Sequence, residues 1–192
     1  AMTDESLKSG KYYKPSSLPT MLWGPLFYKN NTFLSILASN FYNESKREPN
    51  LNNNSINLRT ISWISNAEII LNNNDKSFEK LFLKCLLKQI NFIKKNVNNT
   101  EDNKRIASIS TIILSGLVFR EYYYNFKFGI KELKKLIDNF FDKNGFPKNR
   151  NCENLLTFLQ YFILIKEWIK QGQEIIPEYL EEAIFYLGSS YA

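Results

Sequence analysis

Apolar residues recur every three or four positions along most of the chain, a spacing typical of amphipathic helices. The clearest example is the segment 78–97, with apolar residues Phe78, Leu81, Phe82, Cys85, Leu86, Ile90, Ile93 and Val97. No run of alternating apolar and polar residues is long enough to form a strand. The pattern therefore predicts an all-α protein.

Polar turns divide the pattern into successive helices. Helices are predicted over residues 33–42, 56–71, 78–97, 106–119, 128–141, 153–170 and 177–188. Pro177 suits the first turn of the last helix, and Gly188 suits its C-terminal cap. Short turns between long helices favour antiparallel hairpins, arranged as a bundle, a solenoid or an arc of an α/α toroid.

The first thirty residues are rich in Gly, Pro and Ser and predict an extended leader, residues 1–30, before the helical domain, residues 31–188. Ala1 and Met2 are typical of an expression remnant. The leader lacks the basic-then-apolar order of a signal peptide. No apolar run approaches the roughly 18 residues of a membrane span.

Composition narrows the chemistry. The 192 residues are 44% apolar, enough for a core of one domain, and they include no histidine and two cysteines, Cys85 and Cys152. Catalytic triads with histidine, zinc hydrolases and haem ligation are therefore excluded, and no cofactor is expected. Acid–base work would fall to Asp, Glu, Lys or Tyr. The cysteines could pair, although two small buried thiols are the commoner arrangement.

The net charge of +6 mildly favours a polyanionic partner. The excess is small and looks evenly spread, and codon drift in an AT-rich genome also accounts for it. Lys94-Lys95 and the lysines at 131, 134 and 135 resemble solvated sides of amphipathic helices. Nucleic acid is disfavoured, because neither a dense basic stripe nor a known motif is evident.

One polar turn and two acidic groups are candidates for chemistry. The turn 144–151 carries Lys148 and Arg150 just before a helix and could hold an anion; an ordinary loop capped by Asn151 is the alternative. Carboxylates cluster at 101–102 and at 178–182, where helix starts favour acids without any catalytic role.

Aromatic residues offer two further candidates. The tyrosines at 122–124 could stack sugar rings or supply a phenolic base, or could simply pack at a helix end. Arg59 and Trp63, four residues apart, could form a sugar subsite or a stacked surface pair.

Several segments together resemble the heparinase II/III-like family. They are Asn57–Ile64, Asp102–Ala107, Leu114–Leu117, Asn144–Gly145 and Arg150–Asn151, and the likeness covers residues 23–188 in the family's order. The resemblance implies an incomplete α/α toroid, followed in the family by a C-terminal β-sandwich that this chain lacks. It also implies a bacterial protein, from cytoplasm or periplasm, that recognises acidic polysaccharide for β-elimination.

The resemblance also implies site residues. Asn103 matches the asparagine that neutralises the uronate carboxylate, and Lys104 stands at the position of the family's histidine. Asn103 and Lys104 are therefore the catalytic candidates; the substrate-binding candidates are Arg59, Trp63, Asn103, Arg150 and Asn151. Residues 151–155 contain no tyrosine where the family has its catalytic one. The domain is expected to be inactive alone and to need the β-sandwich as its partner.

A second hypothesis comes from a different class. The chain could be a non-catalytic helical-repeat module whose groove binds a protein or another polyanion. The first hypothesis predicts a basic groove that contains Arg59, Asn103 and Arg150, whereas the second predicts these residues on unrelated faces.

Overall fold

The computed structural model describes residues 53–71, 76–100, 102–142, 144, 146, 148 and 151–191. The α-helices in this part are α1 (Asn53–Ser65), α2 (Ala67–Leu71), α3 (Lys76–Asn96), α4 (Asp102–Val118), α5 (Tyr123–Phe140), α6 (Cys152–Gln171) and α7 (Glu178–Tyr191). Short 3-10 turns precede α4 and α5, at Val97–Asn99 and Arg120–Tyr122. The all-α prediction is confirmed for these residues. The predicted leader and the helix at 33–42 lie outside them.

Several predicted helix boundaries were wrong, and α1 and α4 begin three and four residues earlier than predicted. The helix expected over 56–71 is divided at Asn66 into α1 and α2, although the Asn66 backbone N–H still bonds to the Ser62 carbonyl at 3.1 Å and the Asn66 side chain donates to the same carbonyl at 2.8 Å. Helix α5 begins at Tyr123, five residues earlier than predicted. The pattern did not reveal this first turn, because the turn is polar and aromatic. Helix α7 continues through Gly188, where a Cβ would meet no atom within 4 Å.

The helices pair as antiparallel hairpins, as the short turns predicted. In the α1–α3 hairpin, Thr60 donates a hydrogen bond to Gln89, while Trp63, further along α1, packs on Phe82, nearer the start of α3. The α4–α5 hairpin shows the same opposed order, since Arg105 near the start of α4 pairs with Glu132 in the second half of α5.

The third hairpin, α6–α7, is closed by an ion pair 2.9 Å long between Lys166, near the end of α6, and Glu181, in the first turn of α7. Helix α4 contacts both α1 and α6, so the first helices of the three hairpins lie side by side. Asn57 in the first half of α1 bonds to Ser108 in the first half of α4, and Gly172, directly after α6, lies against Leu117 near the end of α4. The three helices of this row therefore run in the same direction.

Beyond its first turn, helix α4 is buried on almost all sides and occupies the centre of the core. Four isoleucines of α4 are fully buried: Ile106, Ile109, Ile112 and Ile113. The helix packs against α1, α3, α5 and α6. An aromatic cluster joins the end of α5 to α6: Phe140, Phe141, Phe158 and Phe162. Among the described helices, none is long and apolar enough to cross a membrane.

Glycine allows α4 and α5 to approach closely. A Cβ at Gly116 would lie 2.8 Å from Phe126 Cα, and one at Gly129 would lie 2.5 Å from Ile113 Cγ1. Both glycines thus lie where the facing helix leaves no room for a side chain. This contact fixes the position of α5 along the central helix.

Candidate functional site

The ends of α4 and α6 define one candidate site. Gly172, directly after α6, lies against Leu117 near the end of α4, because a Cβ there would be 2.9 Å from Leu117 Cδ2. The two helices are parallel, so their N-terminal ends also lie at one end of the row. Lys104 is exposed in the first turn of α4, and Asn151 is exposed just before α6. We call this region the N-terminal end of the row.

Two other predicted site residues, Asn103 and Arg150, belong to the same two helix starts in the sequence. Asn103 is in the first turn of α4, but its side chain lies outside the described part of the structure, and so does Arg150. The predicted proximity of Arg59, Asn103 and Arg150 stays a prediction. The backbone N–H groups of a first helical turn have no partner within the helix and favour anions.

Arg59 and Trp63 lie further along α1, on the side that faces α3. Arg59 Nε donates a 3.0 Å hydrogen bond to Gln89 Oε1, and its guanidinium carbon lies 5.9 Å from the centre of the Trp63 ring. Trp63 in turn packs on Phe82, with ring centres 5.3 Å apart. The predicted stacked pair therefore exists, and it joins α1 to α3. Its role as a sugar subsite stays a prediction.

A buried polar network joins α1 to α4, and the sequence analysis missed it. Asn57 Nδ2 donates to Ser108 Oγ at 2.9 Å, and Asn57 Oδ1 accepts from Thr111 Oγ1 at 3.5 Å. All three residues are buried. Satisfied polar groups in a core fix the relative position of the helices that carry them. The network thus accounts for the polar positions on an otherwise apolar α4.

A buried carboxylate anchors the beginning of α4. Glu132 is 4% exposed and accepts 2.6 Å bonds from Arg105 Nη2 and Lys135 Nζ. Burial raises the pKa of Glu132, but the contacts with Lys135 and Arg105 outweigh it and hold the pKa below its ordinary value. Arg105 also bonds to Asn98, 3.0 Å away, so the turn before α4 is tied to the same group.

Lys94 has a mixed polar and aromatic environment at the α3–α5 contact. Its Nζ donates to Asn125 Oδ1 at 2.9 Å and lies 4.0 Å from the centre of the Tyr124 ring and 5.2 Å from that of Phe128. Asn125 is buried and donates to Ser115 at 3.1 Å. Burial lowers the pKa of Lys94. Lys94 is thus not the solvated residue that the sequence predicted, because it joins three helices.

Tyr122 and Tyr123 do not have the electrostatics of a general base. Burial, with Tyr124 and Glu121 nearby, raises the pKa of Tyr122; burial and a hydrogen bond to Glu174 raise the pKa of Tyr123. A phenolic base needs the opposite shift, and both rings pack on neighbouring aromatic residues, Tyr122 on Tyr124 and Tyr123 on Phe126, so the packing alternative fits these two residues. Tyr123 lines a cavity of about 300 Å³ together with Gly116, Leu117, Arg120, Gly172, Gln173 and Glu174.

The polar turn after α5 uses its lysine for structure. Lys148 Nζ donates to the carbonyls of Asp138 and Asn139, 3.2 and 3.0 Å away, in the last turn of α5. Asp142 Oδ1 accepts from the backbone N–H groups of Asn144 and Phe146. Lys148 thus stabilises the end of a helix dipole. Lys148 and Arg150 were both predicted to hold an anion here. Because Lys148 is used to bond the end of α5, anion binding stays a prediction for Arg150.

The remaining titratable candidates are exposed or paired. Lys104 is exposed, whereas its proposed role as a general base required burial. Glu181 pairs with Lys166 across the third hairpin, as a helix-start carboxylate with a structural role does. The described residues contain no group of three acidic or cysteine side chains placed to bind a metal ion. Cys85 is a buried free thiol, the commoner of the two arrangements that the sequence left open, and burial raises its pKa.

The positive charge is more concentrated than the sequence analysis expected. Helix α3 contains six lysines and one glutamate, which gives +5 of the chain's net +6. Five of the lysines are exposed: Lys76, Lys80, Lys84, Lys88 and Lys95. The expectation of an evenly spread excess was therefore wrong. Helical periodicity explains the result, since residues four apart lie on one face.

Comparison with known proteins gives no relative. No family model, no curated protein and no solved structure matches this chain. The likeness to heparinase II/III-like proteins therefore stays a prediction that rests on the motifs quoted above.

Proposed function

We propose that this chain is the helical domain of a heparinase II/III-like protein and forms an arc of an α/α toroid that binds an acidic polysaccharide. The observation that carries the proposal is the parallel row α1, α4 and α6, each followed by an antiparallel partner. An α/α toroid repeats this arrangement. The motifs that resemble the family begin α4 and immediately precede α6.

The N-terminal end of the row has the groups that a uronate needs. Two neighbouring helix starts offer backbone N–H groups, and exposed Lys104 adds a full positive charge. Asn103 and Arg150, at the same two helix starts, supply an amide and a guanidinium in this proposal. Asn151 and the Arg59–Trp63 pair complete the predicted binding set.

Binding without β-elimination is the activity proposed for this domain alone. Abstraction of the C5 proton requires a base, and a raised pKa keeps Tyr122 and Tyr123 protonated at neutral pH. Lys104 is exposed, which favours its use as a cation. The C-terminal β-sandwich of the family is the proposed partner for any lyase reaction.

A panel of acidic oligosaccharides tests the proposal: alginate, heparin, hyaluronan and polygalacturonate fragments. Binding is measured by calorimetry, and unsaturated uronate product is followed by ultraviolet absorbance. We expect binding without product. Lys104→Ala and Arg150→Ala should each weaken binding about 3- to 10-fold, as expected for one charge-assisted contact.

The matched control is Lys127→Ala. Lys127 is exposed on α5 beside Phe126, which contacts Gly116 near the opposite end of α4. It should bind like the wild type. Product formed by the isolated chain, or equal loss in the control and in Lys104→Ala, would contradict the proposal.

The alternative, a helical interaction module that binds a protein, is favoured by one observation. The outer side of the third hairpin exposes Ile163 by 45% and Phe185 by 68%. Ile163 lies one turn before Lys166 in α6, and Phe185 lies one turn after Glu181 in α7. Because the two helices are antiparallel, both residues lie on the same side of this ion pair, at the same level. Exposed apolar patches mark interaction surfaces. Failure to bind any member of the oligosaccharide panel would favour this alternative.

A further inference from the structure

We propose that the lysine face of α3 is a second, extended binding surface for the same acidic polysaccharide; the inference rests on the proposed function. The lysine face consists of Lys76, Lys80, Lys84, Lys88 and Lys95. The first four recur every four residues, so neighbouring charges are about 6 Å apart along the helix axis. From Lys76 to Lys95 the face is about 28 Å long.

The opposite side of α3 is part of the core, which fixes the orientation of the lysine face. Phe82, Leu86, Ile90 and Ile93 are buried, and α3 packs against α1 and α4. The lysine side chains therefore extend from a rigid support. A ligand on this face would need no rearrangement of the helix.

The lysine face leads to the proposed binding site. Lys95 is one residue before the end of α3, and a short connection then enters α4. Asn98 in this connection is 3.0 Å from Arg105, so the connection is held against the first turns of α4. Exposed Lys104 lies in the same turn of α4. A linear ligand at the N-terminal end of the row can thus continue along α3.

The chemistry of the face favours an acidic polysaccharide over other polyanions. The exposed residues of α3 besides the lysines are Ser77 and Asn91, which can bond to hydroxyl groups. Phe78 and Phe92 are only half-buried, yet both pack against the core, so the face has no exposed aromatic platform on which bases would stack. An anionic membrane surface binds helices that insert an apolar face, and the apolar face of α3 is already buried.

Oligosaccharide length tests the inference. The rail variant, Lys80→Gln/Lys84→Gln/Lys88→Gln, removes the three central charges of the lysine face. Each exposed contact contributes about 2- to 5-fold to affinity, so a long acidic oligosaccharide that exceeds about 28 Å should bind about 10- to 100-fold more weakly. An acidic disaccharide, which reaches only the N-terminal end of the row, should bind as it does to the wild type.

The control variant makes the same charge change away from the proposed site, Arg120→Gln/Lys127→Gln/Lys170→Gln. All three residues are exposed and lie on different elements at the opposite end of α4 and α6. It should lose less than about 3-fold in affinity for the long oligosaccharide, because it alters only the long-range field. Circular dichroism and thermal unfolding should show that both variants are folded.

The outcomes separate this inference from the proposed function. Weaker binding of the long ligand in the rail variant alone would support the lysine face. Equal losses in the rail and control variants would overturn it. Wild-type affinity of the rail variant for the long ligand would also overturn the inference. In that case Lys104→Ala would still weaken the binding of both ligands if the proposed site is correct. Tighter binding of duplex DNA than of the long oligosaccharide would overturn the choice of polysaccharide.

Discussion

The close contact between α4 and α5 predicts that Gly116→Ala destabilises the protein strongly. The new Cβ would lie 2.8 Å from both Cα and Cβ of Phe126 and would also meet the Phe126 backbone nitrogen. Such distances are well inside van der Waals contact, and the obstructing atoms are mostly backbone. A rotamer change cannot relieve the overlap, so α5 has to move away from α4.

The size of the effect follows from two opposed contributions. Alanine in a helix is favoured over glycine by up to about 1 kcal/mol. Overpacking a core by one methyl group typically costs about 1–3 kcal/mol, and more where backbone must shift. Displacement of α5 also disturbs the Lys94–Asn125 and Asn125–Ser115 bonds. We expect the free energy of unfolding to fall by about 2–4 kcal/mol.

Urea denaturation followed by circular dichroism measures this change, and Gly188→Ala is the matched control. Gly188 is also helical, but nothing lies within 4 Å of a Cβ built there. The control should therefore be stabilised by up to about 1 kcal/mol. Equal free energies of unfolding for Gly116→Ala and Gly188→Ala would refute the close approach of the two helices.

Three further changes test the polar contacts. Glu132→Gln should lower the free energy of unfolding by about 2–4 kcal/mol at pH 7 because it leaves Arg105 and Lys135 without the carboxylate that they share. The contacts hold the pKa of Glu132 below its ordinary value, so the stability that its carboxylate contributes is complete above about pH 4.3 and is lost as the pH falls through the folded-state pKa. Urea denaturation at several pH values measures the difference in free energy of unfolding between the wild type and Glu132→Gln. A difference that stays constant down to pH 2 would contradict this. Lys94→Met should cost about 1–2 kcal/mol, and a double-mutant cycle with Tyr124→Leu should give a coupling of about 0.5–1 kcal/mol; zero coupling would exclude the cation–π contact. Burial and Asp138 raise the pKa of Tyr179 to about 12, and its hydroxyl donates to the Ile130 carbonyl at 3.0 Å. Tyr179→Phe should therefore lower the free energy of unfolding by about 1 kcal/mol at neutral pH and remove the tyrosine that ionises near pH 12. The wild type should lose stability as the pH rises from 10 through 12. A spectrophotometric titration that is the same for both proteins would count against this.

Helical periodicity predicted most of the described fold because the apolar faces are continuous. The pattern from Phe78 to Val97 gave α3 to within two residues, and the all-round apolar segment 106–119 gave the central position of α4. The break at Asn66 was missed because the apolar pattern continues across it, with Ile64 buried before the break and Ile70 buried after it. The early start of α5 was missed because its first turn has no apolar periodicity.

The polar contacts were harder to predict, for a physical reason. Asn57, Ser108 and Thr111 are far apart in the chain, and their bonds exist only after α1 and α4 pack together. Glu132 looked like an ordinary polar residue on a helix face until Arg105 was placed beside it. Pairing partners across helices depend on rotation and register, which the pattern of a single helix does not contain.

The lysine face shows the opposite case, in which the signal was present in the sequence. Lys76, Lys80, Lys84 and Lys88 recur at a spacing of four, and the apolar residues between them already defined the buried side of α3. Counting charges over the whole chain concealed this pattern. Counting them by helix would have revealed it.

The most direct test of the central claim is one pair of calorimetric titrations with the wild-type chain. The ligands are an acidic oligosaccharide, taken as the best binder of the panel, and the same oligosaccharide after its carboxylates have been reduced to neutral alcohols. Recognition by helix N-termini and lysines predicts that reduction weakens binding at least about 10-fold. Equal affinity for the two ligands, or binding of neither, would contradict the claim that this chain recognises an acidic polysaccharide.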